Sequence, residues 1–250
     1  MISQEIEPPT VALVMAGGSG NRFGDELPKQ FHQVLGRPII CYVLQVLEDH
    51  PEIDEIAVVC HKDYIDLVWE LAKEFAITKL SWVTQGGSTF QESARFGVNY
   101  LSKQLPPESL IPIVIAVQPL LESYIIDDSL RVAKKFGNAI AGSELYYNVA
   151  FENGSSQVDI WTDSYLLKAG LRTMNAPWTF RLETLVRIYE DANRLDIGNG
   201  PNDYTATTAI DLGHRLYFSI DDSLNRIKIT TREDLALFRA YVAASDLGKD

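Results

Sequence analysis

A chain of 250 residues is long enough to bury a sizeable core in one α/β domain, and a single domain over 1–250 is expected. Its 22 Lys and Arg against 34 Asp and Glu give a net charge of -12, which excludes a general nucleic-acid binder because phosphate contacts need a basic face; a small anionic ligand is still allowed where a few cations converge. Cys41 and Cys60 sit in apolar runs without a CxxC spacing, no apolar run approaches the roughly 20 residues of a membrane span, and MISQEIEPPT lacks a signal-peptide pattern, so a cytoplasmic protein with reduced thiols and no membrane segment is expected.

The first predicted strand, Val11 to Met15 in TVALVM, runs directly into a glycine-rich loop. Beyond it, helix-period segments alternate with β-rich apolar runs. PIICYVLQVLEDH is followed by EIAVVC, DYIDLVWELAKEF by KLSWVT, TFQESARFGVNYL by IPIVIAV, and IIDDSLRVAKKF by NAIAG. This alternation predicts a mostly parallel sheet with helices on both faces, and such sheets bind ligands at the carboxyl ends of their strands. The pattern falters between Leu145 and Thr162, where YYNVAF, ENGSSQ and VDIW read as two short strands around a polar turn. With no helix to cover it, this hairpin either projects as an arm onto another subunit or forms an edge of the main sheet. A helix then follows in RLETLVRIYEDANRL, a polar loop in DIGNGPNDY, a short helix in TATTAIDLG, and strands in RLYFSI and RIKIT. Thr231 and Asp234, three residues apart ahead of LALFRAYVAA, mark the start of a closing helix.

The loop after the first strand carries the chemistry. A dinucleotide fingerprint fails there, because Phe23 stands where a third glycine is needed, and no GxxxxGK[ST] run occurs. Gly17, Gly18 and Gly20 nevertheless let backbone N–H groups face an anion unobstructed by Cβ atoms, a concavity suited to phosphates. Arg22 and Lys29 add two positive charges, and Pro28 stiffens the approach to Lys29. His32, His50, His61 and His214 show no metal spacing and read as solvated or packed imidazoles.

The run AGGSGNRFGDELPKQF resembles the signature of the cytidylyltransferases that load CMP from CTP onto polyol phosphates, the methylerythritol phosphate and ribitol phosphate enzymes, and the likeness continues through FHQVLGRPIICYVLQVL. QGGSTFQESARFGV resembles the family's second glycine motif, NAPWTF stands where Gln-Thr-Pro-Gln is usual, and RIKITTREDL resembles its C-terminal motif, so the likeness spans residues 11 to 242. It implies a single Rossmann-like domain of the nucleotidyltransferase type A kind, a protruding β-arm at about 145–165, and a homodimer formed through that arm. The activity it implies is transfer of CMP from CTP to 2-C-methyl-D-erythritol 4-phosphate, a step of isoprenoid biosynthesis, or to ribitol 5-phosphate, with Mg2+ as cofactor and pyrophosphate released. Residue by residue, it gives Ala16, Gly17, Gly18 and Gly20 to the triphosphate, and Arg22 and Lys29 to the charge that builds on phosphorus. Lys228 goes to the phosphates, and Gly86, Gly87 and Ser93 to the cytidine.

The departures fall on the acceptor and metal side. VIAVQP stands where the family has His-Asp-Ala-Ala-Arg-Pro, which puts Ile115 in place of the metal-binding Asp and Gln118 in place of the acceptor-binding Arg. An isoleucine cannot coordinate a hard cation. Phe90 replaces an arginine of the second glycine motif, Asn175, Ala176, Pro177 and Trp178 replace Gln-Thr-Pro-Gln, and a Thr-Asp motif survives only as DYTAT, Asp203 to Thr207. Asp222, with Asp221 in reserve, is the candidate metal carboxylate; the alternative for this pair is a solvated turn. Two classes of function follow: a cytidylyltransferase, or a catalytically inactive homologue that binds a nucleotide or serves as a scaffold.

Overall fold

The computed structural model describes residues 7–18, 27–145, 147–153, 161–198, 200, 203–221 and 227–247. Gly20, Arg22, Asp222 and the VDI segment of the predicted hairpin lie outside the described residues. Chain order runs β1 (Val11–Ala16), a 3-10 turn (Lys29–Phe31), β2 (Gln33–Val34), β3 (Arg37–Pro38), α1 (Ile39–Asp49), β4 (Glu55–Cys60), α2 (Ile65–Glu74), β5 (Leu80–Gln85) and α3 (Phe90–Leu101). It continues with β6 (Leu110–Ile115), α4 (Ser123–Phe136), β7 (Asn138–Gly142), β8 (Val149–Ala150), β9 (Tyr165–Leu166), β10 (Asn175–Arg181), α5 (Leu182–Leu195), α6 (Thr205–Asp211), β11 (Phe218–Ile220) and α7 (Arg232–Leu247).

Seven strands form one sheet in the order β11-β7-β10-β6-β1-β4-β5. All neighbouring pairs are parallel except those of β10, which runs antiparallel to both β6 and β7. The central strands VALVMA and LIPIVI are buried at every residue. Helices cover both faces, so no position on these strands needs a polar side chain. Successive residues alternate between the two layers: Ala12, Val14 and Ala16 pack with Leu44 of α1, Leu71 of α2 and Leu130 of α4. Val11, Leu13 and Met15 pack with Val98 of α3, Ile188 of α5, Ala209 of α6 and Phe238 of α7.

Local signals fix the ends of the helices. Gly137, at φ +87°, closes α4 by donating its N–H to the Ala133 carbonyl at 2.8 Å, and the chain turns straight into β7. At α7 the predicted pair forms a reciprocal cap. The Thr231 hydroxyl accepts from the Asp234 N–H at 3.2 Å, and the Asp234 carboxylate accepts from the Thr230 and Thr231 N–H groups at 2.8 Å each. Burial alone would raise the Asp234 pKa, but these hydrogen bonds outweigh it and hold it below the ordinary carboxylate value. The cap is therefore complete above the ordinary aspartate range and is lost as pH falls through the lowered value. Cys41 and Cys60 are both buried free thiols, and burial pushes each up to about 12.

One expectation needs correction, that RIKIT is a strand, and two segments that the sequence left open take definite places. NAPWTF is a central strand, β10, although Pro177 argues against one because it has no N–H for a ladder; the pairing with β7 is irregular between Asn175 and Trp178, the interval that contains the proline. RIKIT forms no strand over its described residues 227–230. It crosses the end of β6 instead, where the buried Ile229 donates its N–H to the Val117 carbonyl at 2.9 Å. In the hairpin, β8 pairs antiparallel with β9 in a sheet of its own, and Asn153 bridges to Trp161. Trp161 of VDIW thus belongs to the returning side, whose described pairing continues to Leu166, and the hairpin is not an edge of the main sheet.

Candidate functional site

A cleft of about 470 Å³ opens at the carboxyl ends of β1, β4 and β6. Its first wall is the chain after β1, Ala16, Gly17 and Gly18, with Lys29 and Gln30 from the 3-10 turn. The Gln30 side chain is buried, and its amide nitrogen donates to the carbonyls of Ala16 and, at 3.2 Å, Gly18. Because a trans peptide points its N–H opposite to its C=O, the Gly17 N–H is turned away from Gln30. Gln30 is thus a positioning residue for the loop, and only its place next to Lys29 in the loop motif could have drawn attention to it.

The second wall is the turn from β5 into α3, through Gly87, Ser88, Thr89, Phe90 and Ser93. The Ser93 hydroxyl accepts from the Gly87 N–H at 3.0 Å and donates to the Thr89 carbonyl at 2.8 Å, so it shapes this turn from within. Both glycine turns close on it. A Cβ at Gly86 would lie 2.7 Å from the Ser93 oxygen and one at Gly17 would lie 3.2 Å from it. Gly86 itself is not among the lining residues, whereas Gly87 is. Thr89 caps α3 by accepting from the Glu92 N–H at 3.1 Å, and the N-terminus of this helix faces the cleft, a position suited to an anion. Hydrogen bonds from the Ser88 N–H and hydroxyl engage the Glu92 carboxylate and lower its pKa.

The third side holds Ile115, Ala116 and Val117 beyond β6, with Tyr204, Lys228 and Thr230. Around the buried Ile229, Lys228 and Thr230 line the cleft, which explains the strand-like alternation of a segment that has no ladder. Phe90, Trp178 and Tyr204 form an aromatic cluster, with ring centroids 5.1 to 5.8 Å apart. The Lys228 ammonium lies 5.4 Å from the Tyr204 ring centroid, within cation–π range. His61, which sequence reasoning left as a solvated or packed imidazole, stands at the rim. The predicted Lys29 and Lys228 thus meet in one cleft with Ala16, Gly17, Gly18, Gly87 and Ser93. Gln118 is buried behind it, with its N–H bonded to the Ile115 carbonyl at 3.0 Å.

The described donor set does not fit a divalent cation. None of the described lining residues is an Asp or Glu, and the described residues contain no group of three or more His, Cys, Asp or Glu able to hold a metal. Asp221 is 1 % exposed rather than part of a solvated turn, and its carboxylate accepts from the Asn175 side-chain amide at 2.7 Å. Nothing local signals this burial, because the partner lies 46 residues away.

Comparison with known proteins agrees with this arrangement. The family model for 2-C-methyl-D-erythritol 4-phosphate cytidylyltransferase (IspD) matches residues 10–244. A ribitol-5-phosphate cytidylyltransferase of Lacticaseibacillus paracasei is 36% identical over 94% of this chain and 99% of its own. A 2-C-methyl-D-erythritol 4-phosphate cytidylyltransferase of Clostridium novyi is 30% identical over 90% of this chain and 93% of its own. Among solved structures, a 4-diphosphocytidyl-2C-methyl-D-erythritol synthase of Anaerococcus prevotii superposes with a TM-score of 0.77 over 94% of this chain and 96% of its own, at 20% identity, a likeness of fold. With the mostly parallel sheet, the paired glycine turns and the match over nearly its whole length, the chain belongs to the 2-C-methyl-D-erythritol 4-phosphate cytidylyltransferase (IspD) family.

Proposed function

We propose that this chain is a cytidylyltransferase that moves CMP from CTP to a polyol phosphate and releases pyrophosphate. The observation that carries this reading is the convergence of Lys29, the Gly87 turn and Lys228, from three separate motifs, on one cleft. Attack by an acceptor phosphate oxygen on the α-phosphorus of CTP, with pyrophosphate leaving in line, spreads negative charge over the nonbridging oxygens. Catalysis then depends on preorganised cations and N–H donors, and no protein nucleophile is required. Arg22 joins these groups by resemblance alone. Ribitol 5-phosphate is the first acceptor to test, because relatives at 36% and 28% identity carry that name. Pyrophosphate release from CTP should appear with ribitol 5-phosphate or 2-C-methyl-D-erythritol 4-phosphate and not without an acceptor. Ile115 and Gln118 favour a second reading, nucleotide binding without turnover. CTP binding with no pyrophosphate from either acceptor selects that one.

The reading includes a homodimer joined through the arm. The arm's faces carry Tyr147 at 80 %, Tyr165 at 69 % and Leu167 at 72 % exposure, more apolar surface than a solvated hairpin needs. Tyr165→Glu with Leu167→Glu should convert dimers to monomers in sedimentation velocity; a wild type that already sediments as a monomer removes the arm's role. We also place the chain in the cytoplasm, supported by its two buried free thiols, with cell fractionation as the check. Among the described residues, no helix is long and apolar enough to cross a membrane.

A further inference from the structure

We infer that none of the described residues gives a carboxylate to a divalent cation in this cleft, and that Lys29 and Lys228 compensate the charge of the bound triphosphate in its place. The inference rests on the nucleotide reading of the cleft. Described acids beside the cleft are engaged by groups of their own, with Asp63 lying 3.4 Å from the His61 ring. Glu92 is held by Ser88, Asp234 by the N–H groups of Thr230 and Thr231, Asp203 by the Gly200 N–H, and Asp221 by Asn175 beneath the surface. At the end of β6, in register with Met15, Ile115 is 9 % exposed and packs in the same apolar layer as Val117 and Trp178. Magnesium demands a near-octahedral shell of oxygens, so this hydrocarbon wall offers it no side-chain ligands.

The same side of the cleft does provide for a cation that belongs to the chain. Lys228 is anchored by the buried Ile229, whose N–H is bonded to the Val117 carbonyl, and its ammonium rests against the Tyr204 ring. Tyr204 is braced in turn by Phe90 and Trp178. The residues that leave a metal without ligands therefore set the direction of a lysine. Such a cleft meets the highest negative charge when the triphosphate arrives without magnesium, because a metal ion on the phosphates neutralises charge that the lysines would otherwise meet.

Calorimetric titration of the full chain with CTP, once in EDTA and once in millimolar MgCl2, tests this. The affinity in EDTA should equal that in magnesium within about three-fold, or exceed it. Tightening by more than about three-fold on adding MgCl2 overturns the inference while leaving the nucleotide reading intact, and loss of that gain in Asp222→Asn identifies the carboxylate responsible. Absence of CTP binding in both buffers overturns the nucleotide reading and the inference with it.

Discussion

Lys228→Ala is expected to lower kcat for CMP transfer by about 10² to 10³-fold, the loss found when one preorganised donor is removed from a developing oxyanion. The ammonium belongs to a segment fixed by the Ile229 to Val117 backbone bond and by the Tyr204 ring, so its position is set before substrate arrives. Charge on the nonbridging oxygens grows as the α-phosphorus is attacked, and the benefit of a fixed cation grows with it. Hence kcat should fall more than KM for CTP rises. Lys228→Arg should recover only part of the rate, since a longer planar guanidinium can keep the ring contact but spreads its charge and places it differently from a compact ammonium. Steady-state pyrophosphate release, with thermal unfolding to confirm the fold, measures both variants. A raised KM at unchanged kcat would instead assign Lys228 to ground-state binding of CTP.

Phe180→Ala should destabilise the chain by about 3 to 5 kcal/mol, the usual cost of emptying a buried phenylalanine site. Phe180 is fully buried in β10, opposite Ile111 of β6 on one side and Asn138 of β7 on the other. It packs in the layer that holds Leu185 and Ile188 of α5. Neighbouring Thr179 faces the opposite layer, where its hydroxyl lies 2.7 Å from that of Ser129 of α4, so one strand ties both helical layers to the sheet. Domains of this kind have only about 5 to 15 kcal/mol to lose, so the loss is a large share of the total. Urea denaturation should show it as a lower midpoint at similar slope, with Phe180→Leu losing less. A loss below about 1 kcal/mol would contradict the packing described here.

The parts of the fold legible in the sequence are those whose pattern is local. Uninterrupted apolar runs marked β1, β4 and β6, because their two faces are both covered, and the three-residue spacing of Thr231 and Asp234 marked the start of α7. NAPWTF carries no clear local mark of a strand: Ala176, Trp178 and Phe180 share one layer, but Pro177 stands among them, and the sheet accommodates it through an irregular ladder. At the site, the glycines and Lys29 stood out because phosphate chemistry demands those types close together. Gln30 did not, and the observed roles of Tyr204, noted only within DYTAT, and of Asp221, noted only as a reserve metal carboxylate, were not visible, because each acts on groups brought to it by the fold. Tyr204 meets a lysine 24 residues further on only after α6 and β11 have been placed.

Ser93 has a mechanical consequence. Its hydroxyl is joined to the turn after β5, and the backbone at Gly17 approaches the same oxygen so closely that even a methyl group there would touch it. The hydroxyl therefore serves as a spacer that sets how near the two turns can come. A larger side chain at position 93 would wedge them apart and a smaller one would let them collapse, so the jaw width of the cleft is gauged by a single oxygen atom.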